Sequence, residues 1–392
     1  MSTSEVLIDL GAIRDNVAYL RRQTTAQVMA VVKADGYGHG LLPSARAALA
    51  GGATWLGVAQ LDEALDLRRA GITAPVLAWL WSPQESATMR AAVAADVDVS
   101  VSARWALDLV RTAGGPRPAR IHLKIDTGLA RNGCGPRDWP ALLEETARAE
   151  AAGEVSVVGV WSHFVYADEP GHPTITAQVD AFHQALEVAR SAGVVPELRH
   201  LANSAATLTR PEAHFDLVRP GVAVYGLNPV PSVPAPGLTP AMTLRSHLAL
   251  AKDVPGGQGV SYGHQYVTGG ETRLVLVPLG YADGVPRAAT NVGPVQIAGR
   301  RFVVSGRVCM DQFVVDVGAV GPGASGRERI EAGAEVVLFG SGAHGEPTAQ
   351  DWATAVDTIH YEIVTRIGAR IPRRFVGEEV GPAAEGATAP PR

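Results

Sequence analysis

Lysine is scarce in this 392-residue chain. Of its 34 basic residues only Lys33, Lys124 and Lys252 are lysines, which leaves 31 arginines. An arginine stays charged, whereas a lysine can lose its proton to its surroundings and attack a carbonyl to form a Schiff base. Where arginine has taken almost every basic position, a surviving lysine points to a need for an amine. Cysteine is scarcer still: Cys134 and Cys309 share no metal-ligand spacing, which argues against a disulfide framework and against a metal site, and for a reducing compartment. No basic stretch followed by an apolar run opens the chain, and no apolar run reaches membrane-span length. A cytoplasmic protein without a membrane partner is expected. The net charge of −5 gives no reason to expect nucleic acid either. No repeat of solenoid length is present.

The 46% hydrophobic content is that of a globular chain, and 392 residues suffice for two domains. Up to about residue 225, short apolar runs alternate with longer Ala/Leu/Arg segments of helical period, the pattern of βα units on a parallel sheet. Eight strands are expected, over 28–32, 55–59, 76–81, 97–101, 121–125, 157–162, 198–201 and 217–225. Their number and spacing predict an α/β fold, a (β/α)8 barrel. After Pro240 strand-like runs divided by Gly/Pro turns take over, at 248–254, 259–267, 273–279, 295–298, 302–305, 313–317 and 335–339, which predicts a mostly-β C-terminal domain. Thr348 with Asp351 three residues on looks like a capped helix start, the helix running to about Gly368. The expected division is a barrel domain over 1–240, whose first residues pair with the β domain, then 241–376, and a flexible tail over 377–392. The proline-rich stretch from Asn228 to Pro240 marks the boundary.

In such a barrel, chemistry gathers at the C-terminal ends of the strands. Lys33 ends the run Val28-Met29-Ala30-Val31-Val32 and opens the turn Ala34-Asp35-Gly36-Tyr37-Gly38-His39-Gly40. Lys124, His163, Asn203-Ser204 and Arg219 end four further runs. Each has a structural alternative: a snorkelling lysine, a hydrogen-bonded core histidine, a helix cap, a salt-bridge arginine. Together they read differently. Ser204 and the Gly221-Val222 backbone fall after strands seven and eight, the recurrent phosphate corner of barrels. A lysine amine, a phosphate corner and an arginine suggest pyridoxal phosphate, with Lys33 on the aldehyde and Arg219 facing the ring nitrogen. An arginine there releases no proton to the ring, so the ring is a weaker electron sink and a substrate carbanion is reprotonated promptly.

These residues also resemble a known family. The segment Ala30-Val31-Val32-Lys33-Ala34-Asp35-Gly36-Tyr37-Gly38-His39-Gly40 is similar to the cofactor-lysine motif of the alanine racemases, fold-type III pyridoxal-phosphate enzymes. The likeness continues through Lys124-Ile125-Asp126-Thr127-Gly128-Leu129-Ala130-Arg131, Ser162-His163-Phe164, Ala202-Asn203-Ser204-Ala205 and Arg219-Pro220-Gly221. Further on it covers Val260-Ser261-Tyr262-Gly263, Gly280-Tyr281-Ala282-Asp283-Gly284, Cys309-Met310-Asp311-Gln312 and Tyr361-Glu362. Asp35-Gly36 stands where many members have Asn-Ala, a departure that removes no reacting group. The resemblance implies a racemase of L- and D-alanine, serving D-alanine supply for peptidoglycan, that acts as a head-to-tail homodimer with shared sites. It implies Lys33 as cofactor lysine and one acid/base, and Tyr262 as the acid/base on the opposite face. Tyr37, Ser204, Gly221, Val222 and Tyr361 would hold the phosphate, with Asn203 beside them. Arg131 would meet the phenolic oxygen and the substrate carboxylate, the Met310 N–H that same carboxylate, and His163 would bridge Arg219 and Tyr262. Lys124 matches a position that carries a carbamate in many members, and Tyr281 is a candidate gate.

Other readings stay open at this point. A racemase of serine or another small amino acid would use the same scaffold. A non-catalytic cofactor carrier would need only the barrel, which the β domain with Tyr262 argues against. A decarboxylase on the related plan would call for a cysteine and acidic groups in place of Tyr262.

Overall fold

The computed structural model describes residues 3–115, 117–318 and 329–377. Of the tail expected over 377–392, all but Gly377 lies outside the described residues. The chain divides into two compact units: Ile13–Gly36 with Gly40–Leu238, and Met1–Ala12 with Tyr37–His39 and Thr239–Arg392.

In the first unit eight strands lie side by side in the order 198–200, 155–161, 119–124, 98–101, 76–78, 55–58, 27–31 and 217–218. Every neighbouring pair is parallel. The two end strands meet through backbone hydrogen bonds, Asp216 N–H to the Arg199 carbonyl at 3.1 Å and Arg219 N–H to the Ala202 carbonyl at 2.9 Å. The sheet is thus all but closed into a barrel. Such strands are covered on both faces, and Trp55–Val58, Val76–Ala78 and Asp98–Val101 are buried at every position. Met29, Trp55, Leu77, Val158, Leu198 and Leu217 form an apolar cluster within this unit. Between strands, helices bury one stripe: Leu61–Arg69 buries Leu61, Ala64 and Leu67, begins with acidic residues and ends on Arg68 and Arg69.

The last expected strand is shorter than the sequence suggests. Leu217–Val218 is extended, but Val222–Tyr225 is a 3-10 turn closed by Gly226 in the left-handed region. Pro220 has no N–H to donate. Val222 and Val224 read as strand because they are buried, not because they pair.

In the second unit a six-stranded sheet runs in the order 300–303, 294–297, 335–339, 242–247, 4–9 and 373–376, beside a three-stranded sheet of 250–254, 272–277 and 313–316. The first residues, expected to pair with the β domain, form the strand Ser4–Asp9 between Met242–His247 and Arg373–Val376, and those two strands were not anticipated. Ser4–Asp9 and Met242–His247 alternate buried and half-buried residues along most of their length, a period of two that the sequence carries openly. The stretch expected as one strand over 259–267 is a hairpin of Gly259–Val260 and Tyr266–Val267, with Tyr262–His264 as the turn between. The late helix starts as expected, with the Thr348 side chain accepting from Asp351 N–H. It is two helices, Ala349–Ala355 and His360–Thr365, because Asp357 takes φ +55° between them.

Candidate active site

Lys33 follows the strand Gln27–Val31 and opens an unusual turn. Ala34, Asp35, Gly36 and Tyr37 have φ of 53°, 53°, 60° and 54°. Left-handed backbone costs about 1–2 kcal/mol for each residue with a Cβ, so the turn must be held. Ala34 N–H donates to Glu63 Oε1 at 2.6 Å, Leu41 N–H to Asp35 Oδ1 at 2.7 Å, and Gly40 N–H to the Asp35 carbonyl at 2.8 Å. At Gly36 a Cβ would lie 2.7 Å from Ser44 Oγ, so a glycine fits where a larger residue would collide.

Lys33, Lys124, Arg131 and Arg219 form a cationic group within this unit. Burial and the charge of Arg131 lower the Lys33 amine below its usual value, against the opposing pull of Glu63. Lys124 is only 4% exposed. Burial, then Arg219 and Arg131, bring its amine down to about 7. Its Nζ sits 4.2 Å from the centre of the Trp161 ring. His163 is held neutral: burial, then the charges of Arg219, Lys124, Arg131 and Lys33, keep it well below its usual value. The two carboxylates that act on these lysines are engaged with backbone. Glu63 accepts from Ala34, Ala59 and Gln60 N–H groups, and Asp126 from Gly128, Leu129 and Ala130. The site therefore carries a surplus of positive charge suited to an anionic ligand.

Arg219 is 4% exposed, and burial brings its guanidinium down to about 9, still charged at neutral pH. Nη1 donates to His200 Nδ1 at 3.1 Å; Nη2 donates to the Ser162 and Leu201 carbonyls at 2.7 and 3.2 Å and to His163 Nδ1 at 3.3 Å. Nε has no hydrogen-bond partner among the described residues. At the phosphate corner, Asn203 caps the helix Ser204–Thr209 by accepting from Ala206 N–H at 3.0 Å. Ser204 Oγ accepts from Gly221 N–H at 2.8 Å and Ala223 N–H at 3.3 Å, so Ser204, Gly221 and Val222 are brought together.

The remaining candidates belong to the second unit. Tyr37 and Tyr361 face each other with ring centres 6.2 Å apart; burial, then Tyr361, raises the Tyr37 phenol. Tyr262, 72% exposed, sits on its hairpin turn, and Met310 and Tyr281 are also exposed. Ala282 N–H donates to the Met310 carbonyl at 2.9 Å, while the Met310 N–H has no partner among the described residues. The sequence reading missed the residues that hold these groups. Arg370 pairs with both Asp283 and Asp311, which flank Tyr281 and Met310. Buried Gln178 ties the Thr127, His163 and Val165 segments together. No local pattern marks such residues, since their partners are remote in sequence. No helix among the described residues is long and apolar enough to cross a membrane.

Comparison with known proteins adds an independent line. Residues 8–229 match the family model described as the alanine racemase N-terminal domain, and residues 241–375 that of the alanine racemase C-terminal domain. The chain is 59% identical over 379 residues to an alanine racemase of Thermobifida fusca, covering 96% of this chain and 99% of that one. It is 58% identical over 376 residues to an alanine racemase of Frankia casuarinae, covering 94% and 95%. A crystal structure of alanine racemase from D-cycloserine-producing Streptomyces lavendulae superposes with a TM-score of 0.92 at 55% identity, covering 96% of this chain and 98% of that one.

Proposed function

The chain belongs to the alanine racemase family, and on that premise we propose that it interconverts L- and D-alanine by a two-base exchange of the α-proton, with pyridoxal phosphate as cofactor. The observation that carries the cofactor is Arg219: buried, charged, its hydrogen bonds among the described residues all made by Nη1 and Nη2, and Nε left over as a donor for a ring nitrogen. The cationic surplus around it suits a phosphate and a carboxylate. When bound, pyridoxal phosphate supplies delocalisation of the electron pair left on the α-carbon once its proton is removed.

The chain's own residues do the rest. Lys33 would hold the cofactor aldehyde, and its lowered amine yields a base for one face of the α-carbon. Tyr262 would donate or accept the proton on the other face; two groups are needed because one cannot reach both. Ser204, Gly221, Val222, Tyr37 and Tyr361 would hold the phosphate, with Asn203 fixing the Ser204 turn. Arg131 and the Met310 N–H would take the substrate carboxylate, and His163, neutral, would link Arg219 to Tyr262. Tyr281 would gate entry. A Lys124 amine poised near 7 is nucleophilic enough to add carbon dioxide, releasing a proton and forming a carbamate that pairs with Arg131.

In this reading the barrel domain spans 1–240 and the β domain 241–376, two chains form a homodimer with shared sites, and the enzyme works in the cytoplasm, supplying D-alanine for peptidoglycan. Borohydride reduction of the cofactor-loaded protein, followed by peptide mass mapping, is expected to place the pyridoxyl group on Lys33. A label on Lys124 or Lys252 would overturn the assignment.

A further inference from the structure

Behind Arg219 a line of buried polar groups crosses the barrel interior. Arg219 Nη1 meets His200 Nδ1 at 3.1 Å, His200 Nε2 meets His122 Nδ1 at 2.8 Å, and His122 Nε2 meets Asp98 Oδ2 at 3.1 Å. Asp98 Oδ1 accepts from Arg120 Nε at 2.8 Å. His122, His200 and Asp98 are essentially inaccessible to solvent. The ends of this line fix its protons. A guanidinium only donates, so His200 Nδ1 accepts; its proton is then on Nε2, which makes His122 Nδ1 an acceptor and places the second ring's proton on Nε2, facing a carboxylate that only accepts. One proton arrangement, and no other, makes every bond.

The surroundings support that arrangement. Burial, then the charge of Arg219, holds His200 well below its usual value, so it is neutral. Burial pushes Asp98 up, but the hydrogen bonds from His122 and Arg120 and the charge of Arg120 outweigh it and keep its carboxyl below the usual range. Trp161 stacks on His200 with ring centres 5.6 Å apart and planes within 6°. On the strand between the two histidines stands Gly159, where a Cβ would lie 2.3 Å from His122 Nδ1. The glycine leaves the gap through which one ring reaches the other.

We propose that Asp98, anchored by Arg120, is the anionic end of a one-directional hydrogen-bond relay through His122 and His200 that holds Arg219 charged and aimed, making all four positioning residues for the group that faces Arg219. Chains of hydrogen bonds polarise one another, so the carboxylate strengthens His200 Nδ1 as an acceptor and keeps Arg219 from rotating away. The function of the relay rests on the reading of Arg219 given above; its proton arrangement does not.

The test is 15N spectroscopy of histidine-labelled full-length protein, with and without pyridoxal phosphate, assigned with His200→Gln and His122→Gln. Both rings are expected to be neutral with the proton on Nε2, and Asp98→Asn is expected to move the His200 Nδ1 resonance although a whole ring separates them. In the loaded enzyme, Asp98→Asn and Gly159→Ala are each expected to lower kcat on the order of tenfold with little change in KM, the lower end of what losing an outer hydrogen-bond partner costs at a metal-bound histidine. An Nδ1-protonated or doubly protonated His200 overturns the relay, as does a His200 signal indifferent to Asp98→Asn. If Asp98→Asn does not fold, the proton positions in the unaltered protein decide alone. A borohydride label away from Lys33 would count against the proposed cofactor role and leave the proton arrangement standing, so the two failures are separable.

Discussion

Two amines of this chain are placed among other cations. Lys33 and Lys124 are both lowered first by burial and next by arginine charge, Arg131 for the one and Arg219 for the other. Lys124 gives a pH signature. Its folded value of about 7 lies below its ordinary 10.5, so the unfolded chain binds more protons between those values. The cost of its charge to the fold is therefore full below pH 7 and fades as the pH rises toward 10.5. In buffer free of carbon dioxide, Lys124→Met should be more stable than the parent below pH 7, with the gap shrinking across that window in denaturant titrations. Labelled bicarbonate should add a carbamate carbon signal in 13C spectra that Lys124→Met lacks; a parent spectrum without it would refute the modification. Lys33 was legible in the sequence because lysine is so rare. His122, His200 and Asp98 were not, because each looks like an ordinary polar residue inside a strand and their partnership exists only once the sheet is curled.

At the scale of elements, the strands of the barrel were readable from their apolar runs, and four of the five strand-end clusters sit just beyond those runs, with Lys124 the last residue of its own. The misreadings have separate causes. A buried β-branched run such as Val222–Tyr225 looks like a strand whether or not it pairs, and the Asp357 break in the late helix lies in a residue that only mildly favours left-handed backbone. The turn that carries Ser204 depends on its cap. Replacing Asn203 by alanine removes the acceptor of Ala206 N–H and should cost about 1 kcal/mol of stability, measured by thermal melts, while weakening pyridoxal phosphate binding severalfold in a spectroscopic titration. Loss of stability without loss of cofactor affinity would separate the cap from the phosphate corner.

At the scale of the whole molecule, Lys33 and Tyr262 lie in different compact units, and the proposed homodimer makes each site from one chain's lysine and its partner's tyrosine. Mixing Lys33→Ala and Tyr262→Phe chains tests this. Each alone should be nearly inactive. With random reassortment half the dimers are mixed and one site in each is intact, so activity should recover to roughly a quarter of the parent level. No recovery, with subunit exchange confirmed by mass spectrometry, would put both residues of each site in one chain. The central claim, two bases on opposite faces of one carbon, is tested most directly by following L-alanine in deuterium oxide with the loaded enzyme and analysing the first D-alanine formed. The account predicts that this product carries deuterium at the α-carbon, because the proton removed by one group is not the one returned by the other. D-alanine that retains the substrate's own protium, or no D-alanine at all, would contradict it.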